Sequence, residues 1–309
     1  RKWLSPFFYA ERIDSKRAYA QKGKIRHLFI TNLDVPFYKR AGNIQPTEEE
    51  YKKNPNRVYW GNALANTVRY RFSRGKQFSA GTTLQKDAGE PFAGCGNYPY
   101  DYVSAYAHII STNGKWQAWL GDFNIRSNHG LLFSSGLFKN TAQINGPFLS
   151  KSLQIKPHSS CDETNFFRGL ALTRQGRVWN AAAFFSLRKL DARLENDTIT
   201  SFSKTGFHRT QTELERKNNV RNLTAAMQLG YNKNRLNLAF TFAFDNYDHV
   251  VWPKEQPYTL YFMRGKSACA FSCDYHIRSA NRKWTHTGET AIDRRLHAAM
   301  THTVRYSPS

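Results

Sequence analysis

The stretch Asn234-Arg235-Leu236-Asn237-Leu238-Ala239-Phe240-Thr241-Phe242-Ala243-Phe244-Asp245-Asn246 decides the fold. Leu236, Leu238, Phe240, Phe242 and Phe244 occupy one parity, and Asn237, Ala239, Thr241, Ala243 and Asp245 the other. Successive side chains of a strand point to opposite faces, so this segment has one large apolar wall and one small or polar wall. The same alternation returns in Trp179, Ala181, Ala183, Phe185 and Leu187, and again in Cys269, Phe271, Cys273, Tyr275 and Ile277. Segments of about ten residues exceed the usual five or six of ordinary strands and match the nine to eleven that cross a bilayer on a tilt. The reading is all-β: an antiparallel transmembrane-type β-barrel.

Outward from that stretch, turn residues divide the chain into fourteen or fifteen strands. They fall at residues 3–11, 25–34, 63–72, 77–86, 100–111, 116–125, 131–137, 165–174, 178–188, 220–231, 234–246, 258–264, 267–277, 283–292 and 296–306. Asn113-Gly114 is the dipeptide most favoured for a tight hairpin turn, and Gln175-Gly176 and Asn232-Lys233 mark two further turns. Two long insertions interrupt the rhythm. Residues 37–56 form a charged loop in which Glu48, Glu49 and Glu50 after Thr47 start a short helix that Pro55 ends. Residues 190–219 carry Thr210 followed by Glu213, a helix capping box. The organisation is one domain, 1–309: opening strands and charged loop (1–60), strands (61–189), the long insertion (190–219) and further strands (220–309).

Composition fits a barrel. A mean hydropathy of −0.65 is no obstacle, because only every second residue of a barrel strand meets lipid. No run of 18 apolar residues occurs, which excludes a transmembrane helix. The 16 Tyr, 22 Phe and 7 Trp suit interfacial girdles and suit a β-rich core as well. Lys and Arg number 45 against 23 acids, a net charge of +22. Such an excess fits a wet lumen, turns and anionic lipid head groups, and it also raises a polyanion, DNA, as a partner.

The cysteines point to no site. Cys269 and Cys273 lie four apart on one strand face, about 13 Å at 3.3 Å per residue, too far for a disulfide or a shared metal. Cys95 and Cys161 sit in turn contexts and would pair only if their loops meet. No Cys and His spacing matches a zinc site, and Gly94-Cys95-Gly96 lacks the third Gly and the Lys of a phosphate cradle. No cofactor, metal or small-molecule substrate is indicated. A hydrolase would draw on His208, His108, His129 and Ser134, but there is no Gly-x-Ser-x-Gly elbow and no His-Glu-x-x-His.

Four motifs carry a family resemblance. They are Leu84-Gln85-Lys86-Asp87-Ala88-Gly89-Glu90-Pro91-Phe92; Leu120-Gly121-Asp122-Phe123; Ser159-Ser160-Cys161-Asp162-Glu163-Thr164-Asn165-Phe166-Phe167-Arg168-Gly169; and Thr205-Gly206-Phe207-His208-Arg209-Thr210-Gln211-Thr212-Glu213-Leu214-Glu215-Arg216-Lys217-Asn218. In sequence and order they resemble the outer-membrane β-barrel region of Bacteroidota helix-hairpin-helix (ComEA-like) domain proteins, over residues 60–306. The helix-hairpin-helix part itself is not in this sequence. The resemblance implies a bacterial outer-membrane location, contact with outer-membrane lipid, other envelope proteins as partners, and a barrel with further strands beyond this stretch. The expectation is therefore an incomplete barrel in which the first and last strands do not pair.

Read as chemistry, Asp87-Ala88-Gly89-Glu90-Pro91 ends a strand: Gly89 takes a positive φ and Pro91 removes a donor, while Asp87 and Glu90 could instead hold a cation or a lumenal Arg. Asp162, Glu163 and Arg168 read as a salt-bridged loop or as part of a site. His208, Arg209 and Glu213 lie in the insertion, either as a solvated loop helix or as a plug or docking element. The functional expectation is a non-enzymatic channel, scaffold or docking protein of the cell envelope; the alternative is a DNA-binding or DNA-uptake protein.

Overall fold

The computed structural model describes residues 23–92, 100–127, 130–133, 153–281 and 283–307. The strand expected at residues 3–11, most of that at 131–137, and His129, Ser134 and Cys95 lie outside them. Fifteen strands form a single sheet. Twelve make its path: β1 (Ile25–Asp34), β2 (Ala65–Arg74), β3 (Phe78–Lys86), β4 (Tyr102–Ile110), β5 (Trp116–Arg126), β7 (Phe167–Gln175), β8 (Trp179–Leu190), β11 (Val220–Lys233), β12 (Leu236–Val251), β13 (Gly265–Arg278), β14 (Trp284–Asp293) and β15 (Ala298–Tyr306). Every pairing along this path is antiparallel. Among the described residues nothing joins β1 to β15 and the sheet is open there, as expected of the 25–34 and 296–306 strands; the expected strand at 3–11 lies outside the described residues.

The deciding stretch behaves as its alternation requires. Phe240 is 56% exposed while its neighbour Thr241 is 2% exposed, and Met227 and Phe271 on adjacent strands are exposed with Phe240. The opposite face buries Asn180, Gln228, Thr241, Asp274 and Glu289. This inverts a water-soluble sheet: large apolar groups stand outside and polar groups inside, the transmembrane-barrel pattern. Cys269 and Cys273 pair with Phe244 and Phe240, which puts both on the outer apolar face.

The two ends of the sheet differ. At one end short turns join β2 to β3, β4 to β5, β7 to β8, β11 to β12 and β13 to β14. Only Asn234 and Arg235 separate β11 from β12, and Asn234 supplies the positive φ (54°). The turn thus falls two residues beyond the expected Asn232-Lys233, because β11 continues to Lys233. At Asn113-Gly114 the connection is longer than a two-residue hairpin: the Asn113 carboxamide accepts from Ser111 Oγ and Lys115 N, closing a five-residue loop between Ile110 and Trp116. At the other end lie the long connections, residues 35–64, 87–101, 127–166, 191–219 and 252–264, with only 294–297 short.

Three strands were not expected. β6 (Gln154–Pro157) pairs with the end of β5. β9 (Ala192–Glu195) and β10 (Thr198–Phe202) make a hairpin inside the long insertion, turned by Asn196 and Asp197, both at positive φ. β10 joins the top of β12 in parallel, and Ala192, Ile199, Val220 and Val251 form a small apolar core there. Conversely, the strand expected at 258–264 is a 3-10 turn over Pro257–Thr259 followed by loop, since Pro257 has no N–H to give a ladder and Thr259 Oγ1 closes back on Gln256 and Lys254. The described residues of 131–137, Leu131 to Phe133, are bend and loop rather than strand.

The sheet curls so that its polar face is concave. Ser127, just after β5, reaches Glu289 on β14 with Oγ 3.1 Å from Oε1, although five strands lie between them in the sheet. Flat, that path would span about 29 Å at 4.8 Å per strand. Part of the concavity is filled by the β5–β7 connection. Phe133, Leu153 and Ile155 pack on Trp119, Phe123, Ile125 and Phe184. Leu131 N and Leu132 N donate to the Glu289 carboxylate, and Leu153 N to Gln228. No described helix is long and apolar enough to cross a membrane.

Candidate functional site

At the long-loop end, segments far apart in sequence meet around one histidine. β3 ends at Lys86, and the next four residues turn: Glu90 N donates to Asp87 O, and Glu90 Oε2 accepts from Asp87 N at 2.8 Å. Gly89 holds φ +94°, and a Cβ there would strike the Tyr59 ring. The strand-terminating reading of Asp87 to Pro91 is thus what the structure shows. Glu90 does more: its Oε1 accepts the backbone N–H of His208 at 3.0 Å, tying the turn to the long insertion.

His208 is buried, and each ring nitrogen faces a carboxylate: Nδ1 lies 2.5 Å from Asp101 Oδ2 and Nε2 2.8 Å from Asp191 Oδ2. Lys217 Nζ bonds the other Asp101 oxygen at 2.5 Å. Burial alone would lower the imidazole pKa, but the hydrogen bonds and charges of Asp101 and Asp191 outweigh it and hold His208 up at about 9. Asp101, against its own burial, is held below the usual carboxylate range by His208 and Lys217. Glu163 stands close by; burial, then the charges of Glu90 and Asp101, push it up to about 9. Gly206 makes room for it, since a Cβ there would meet Glu163 Oε2 at 2.8 Å, at a φ of +71° that also favours glycine.

The remaining expected residues anchor the surroundings. Thr210 and Glu213 form the capping box of helix α2 (Gln211–Arg216), numbered after α1 (Glu48–Lys53), which has its own box on Thr47 and Glu50. Arg209 lies over Phe207 and Tyr59, and its carbonyl accepts from Trp60 N, so the insertion grips the 35–64 loop. Thr212 adds bonds from N and Oγ1 to Asn56 Oδ1. Asp162 receives Thr164 N, Thr164 Oγ1, Asn165 N and Asn165 Nδ2, a closed Asx-type turn whose donors outweigh burial and lower its pKa.

Arg168 corrects one expectation. It does not bridge the loop carboxylates Asp162 and Glu163; it forks onto Asp122, Nε to Oδ1 at 2.6 Å and Nη2 to Oδ2 at 2.9 Å. Pairing of β4 with β5 stops at Gly121, whose φ is +90° and where a Cβ would strike Ala105 O. The Asp122 carboxylate then accepts Ala105 N in place of a ladder carbonyl, and Arg168 neutralises it. Cys161 accepts from Arg69 Nη2; whether it pairs with Cys95, left open by the sequence, falls on a residue outside the described ones.

Asp101, Asp191 and Lys217 were missed as site residues, as was His158, which contacts Asn124 and Tyr102 and stacks on Phe166. Asp101 and Asp191 directly border strands β4 and β8, and only the mutual placement of two loops reveals them. Glu90, Asp101 and His208 present ligand atoms within 4.8 Å of one another. A divalent cation there would have to displace the bonds those atoms already make to His208, Lys217 and the backbone. The arrangement acts chemically as a fastener, a mixed-charge knot joining three long connections.

Comparison with known proteins gives the following. No protein-family model and no curated protein matches the chain. Among solved structures it is similar to a porin at 10% identity, over 78% of this chain and 61% of the porin, with a TM-score of 0.39. It is also similar to a loop L8 deletion mutant of OmpT, an outer membrane protein of Vibrio cholerae, at 12% identity over 92% of this chain and 87% of that one, with a TM-score of 0.28. The chain spans less than two thirds of the porin's length.

Proposed function

We propose that this chain is a non-enzymatic β-barrel protein of the bacterial outer membrane whose fastened long-loop end serves as a scaffold for docking other envelope proteins. The observation that carries this is the inversion of exposure across β7 to β14: Leu170, Phe185, Met227, Phe240 and Phe271 outside, Asn180, Gln228, Asp274 and Glu289 inside. In water that outer surface would be a contiguous apolar patch far beyond what monomeric proteins expose; in hydrocarbon it needs no cover. Short turns at one end and long loops at the other are the outer-membrane arrangement.

Scaffold is favoured over open channel by the β5–β7 connection, which packs into the concavity and is held by Glu289 and Gln228. It is favoured over hydrolase by His208, whose two ring nitrogens are both given to carboxylates, leaving neither to take a proton from a nucleophile. The motif resemblance supports the same reading, since Glu90, Glu163 and His208 come from three of the four shared motifs and meet in one knot.

The test is collisional accessibility of nitroxides placed singly at 240 and 241, with the native cysteines replaced, in protein refolded into vesicles. The label at 240 should respond to oxygen dissolved in lipid and be shielded from a water-soluble relaxer, and the label at 241 should not follow it. Equal responses would remove the membrane reading. Stepwise conductance in planar bilayers would replace scaffold by channel, and ester hydrolysis lost in His208→Ala would replace it by enzyme.

A further inference from the structure

The short-turn end carries a second pattern that the fastened end lacks. The described residues 23–27, 72–80, 108–118, 172–182, 231–238, 276–281, 283–286 and 304–307 together make that end of the sheet, and they contain twelve Lys and Arg and not one of the chain's 23 acids. At the chain's ratio of 45 to 23, about half as many acids as cations would be expected there. Each short turn contributes: Lys76, Lys115, Arg177, Arg235 with Lys233 beside it, and Lys283. The first five of these are exposed, and no ion pair among the described residues involves this rim. At the other end acids and bases are mixed and paired.

One step toward the middle of the sheet, the outer face carries aromatics. Trp116, Trp179, Trp284 and Tyr306 are exposed, each at the turn-proximal end of its strand. Trp179 packs on Tyr231 at 5.0 Å, Trp284 on Tyr306 at 4.7 Å, and the Arg174 guanidinium lies 5.3 Å over Trp116. Exposed Trp and Tyr with an apolar body and a polar tip settle at the headgroup level of a bilayer. Cations immediately beyond such a belt stand at the depth of lipid phosphates, and self-repulsion in an acid-free ring is relieved by anions bound there.

Resting on the outer-membrane reading above, we propose that the short-turn rim is a binding surface for anionic glycerophospholipids of the leaflet on that side. The aromatic belt sets the depth, and the turn cations supply the charge. A free polyanion would use the charge but has no need of an outward aromatic belt directly behind it, which is why lipid is the occupant the rim fits.

The test uses the full chain inserted into phosphatidylcholine vesicles doped with spin-labelled phosphatidylglycerol or spin-labelled phosphatidylcholine, reading the motionally restricted fraction of each. The glycerol lipid should associate at least about fivefold more strongly, and less so at high salt, as expected of attraction to cations near the surface. Replacing Lys76, Lys115, Arg177, Lys233, Arg235 and Lys283 together by Gln should bring the two lipids to parity; the same change at Lys52, Lys53 and Lys204 should not. If the sixfold variant does not insert, Lys76→Gln and Arg235→Gln singly should each lower the preference. Equal restriction of both lipids in inserted wild type would overturn the lipid proposal while leaving the barrel intact. Failure of the wild type to insert at all would overturn the membrane reading and the proposal with it. Displacement of the labelled lipid by short duplex DNA at low salt would overturn it in favour of a polyanion surface.

Discussion

The two ends of this sheet solve opposite electrostatic problems with the same strands. At the long-loop end, acids and bases from connections far apart in sequence meet and cancel, His208 between Asp101 and Asp191 and Lys217 on Asp101, and across the neighbouring strands Arg168 neutralises the buried Asp122. At the short-turn end the charged residues are all cations, most of them exposed and without ion pairs among the described residues. The first end is held by bonds within the chain and is specific to its loops; the second has unbalanced charge and is answered by what lies outside the chain. The difference shows that net charge of +22 is not a uniform property here but resides disproportionately in one rim.

The strongest way to break the comparison is to open the knot. His208→Ala would leave Asp101 and Asp191 facing each other in a buried site, and removing one partner of a buried charge pair costs about 3–5 kcal/mol. The expected outcome in lipid is loss of hydrogen-exchange protection in residues 205–217, with strands β11 to β13 unchanged. Global unfolding, or no loss at all, would show that the knot is not a local fastener.

Next in size is the polarity of the faces. Phe240→Arg places a charge on the outer apolar face and should cost about 2–4 kcal/mol in lipid if it lies near midplane. The same substitution at His276, on the inner parity of β13 and half-buried, should cost less. Thr241, although inner, is a poor control, because it is packed against Gln228 with a 2.9 Å hydrogen bond. Equal losses at 240 and 276 in a denaturant titration would sink the inside-out assignment.

Most of the strands were legible in the sequence because each reports itself locally: period-two alternation, then a turn residue, as in Leu236 to Asp245. The helix start after Thr47 and the capping box at Thr210 were legible for the same reason, each needing only about four residues; that Thr47 also closes a box with Glu50 came from the structure. What was not legible is what depends on curvature and on loop meeting loop. Residues 154–157 have no alternation long enough to read, yet they pair with β5 because their connection is folded into the concavity. The β9–β10 hairpin hid in a stretch read as one insertion, though Asn196-Asp197 was its signal. Arg168 found Asp122 rather than its sequence neighbours because cross-strand register, invisible from either segment alone, sets Asp122 opposite Arg168. The knot residues Glu90, Glu163 and His208 were picked singly; that they touch one another's surroundings required the fold.

A smaller effect should appear as pH dependence of the knot. His208 is raised from 6.5 to about 9, so its stabilisation is fully present below 6.5 and is lost as pH rises through 9. Glu163, raised from 4.5 to about 9, acts in the same direction: the folded protein holds a proton that the unfolded chain releases, so stability falls as pH rises between those values. Protection of residues 205–210, corrected for intrinsic exchange, should decline from pH 6.5 to 9, and His208→Gln should flatten that decline. Among its described residues the short-turn rim has no histidine held between carboxylates, and protection of strand ends around Arg235 should not change over this range. A parallel decline at both ends would mean that pH acts on the sheet as a whole.

The smallest effect concerns the insertion's helix and sharpens how the knot is built. Thr210 Oγ1 accepts Glu213 N at 3.4 Å, and Glu213 Oε2 returns to Thr210 N at 3.1 Å and Arg209 N at 2.9 Å. Loss of such a cap costs about 1 kcal/mol. Because α2 has only six residues and buries none of them, its own packing cannot offset that loss. Thr210→Ala should therefore fray α2 while leaving His208 in place, since His208 is fixed by Glu90, Asp101 and Asp191 rather than by the helix. Limited proteolysis of membrane-inserted protein separates the two: cleavage after Arg216 should accelerate about five- to tenfold, in line with that free energy, and cleavage after Lys204 should not. Acceleration at both sites would show that the cap and the histidine form one cooperative unit, and that the fastening extends through the helix into the loop.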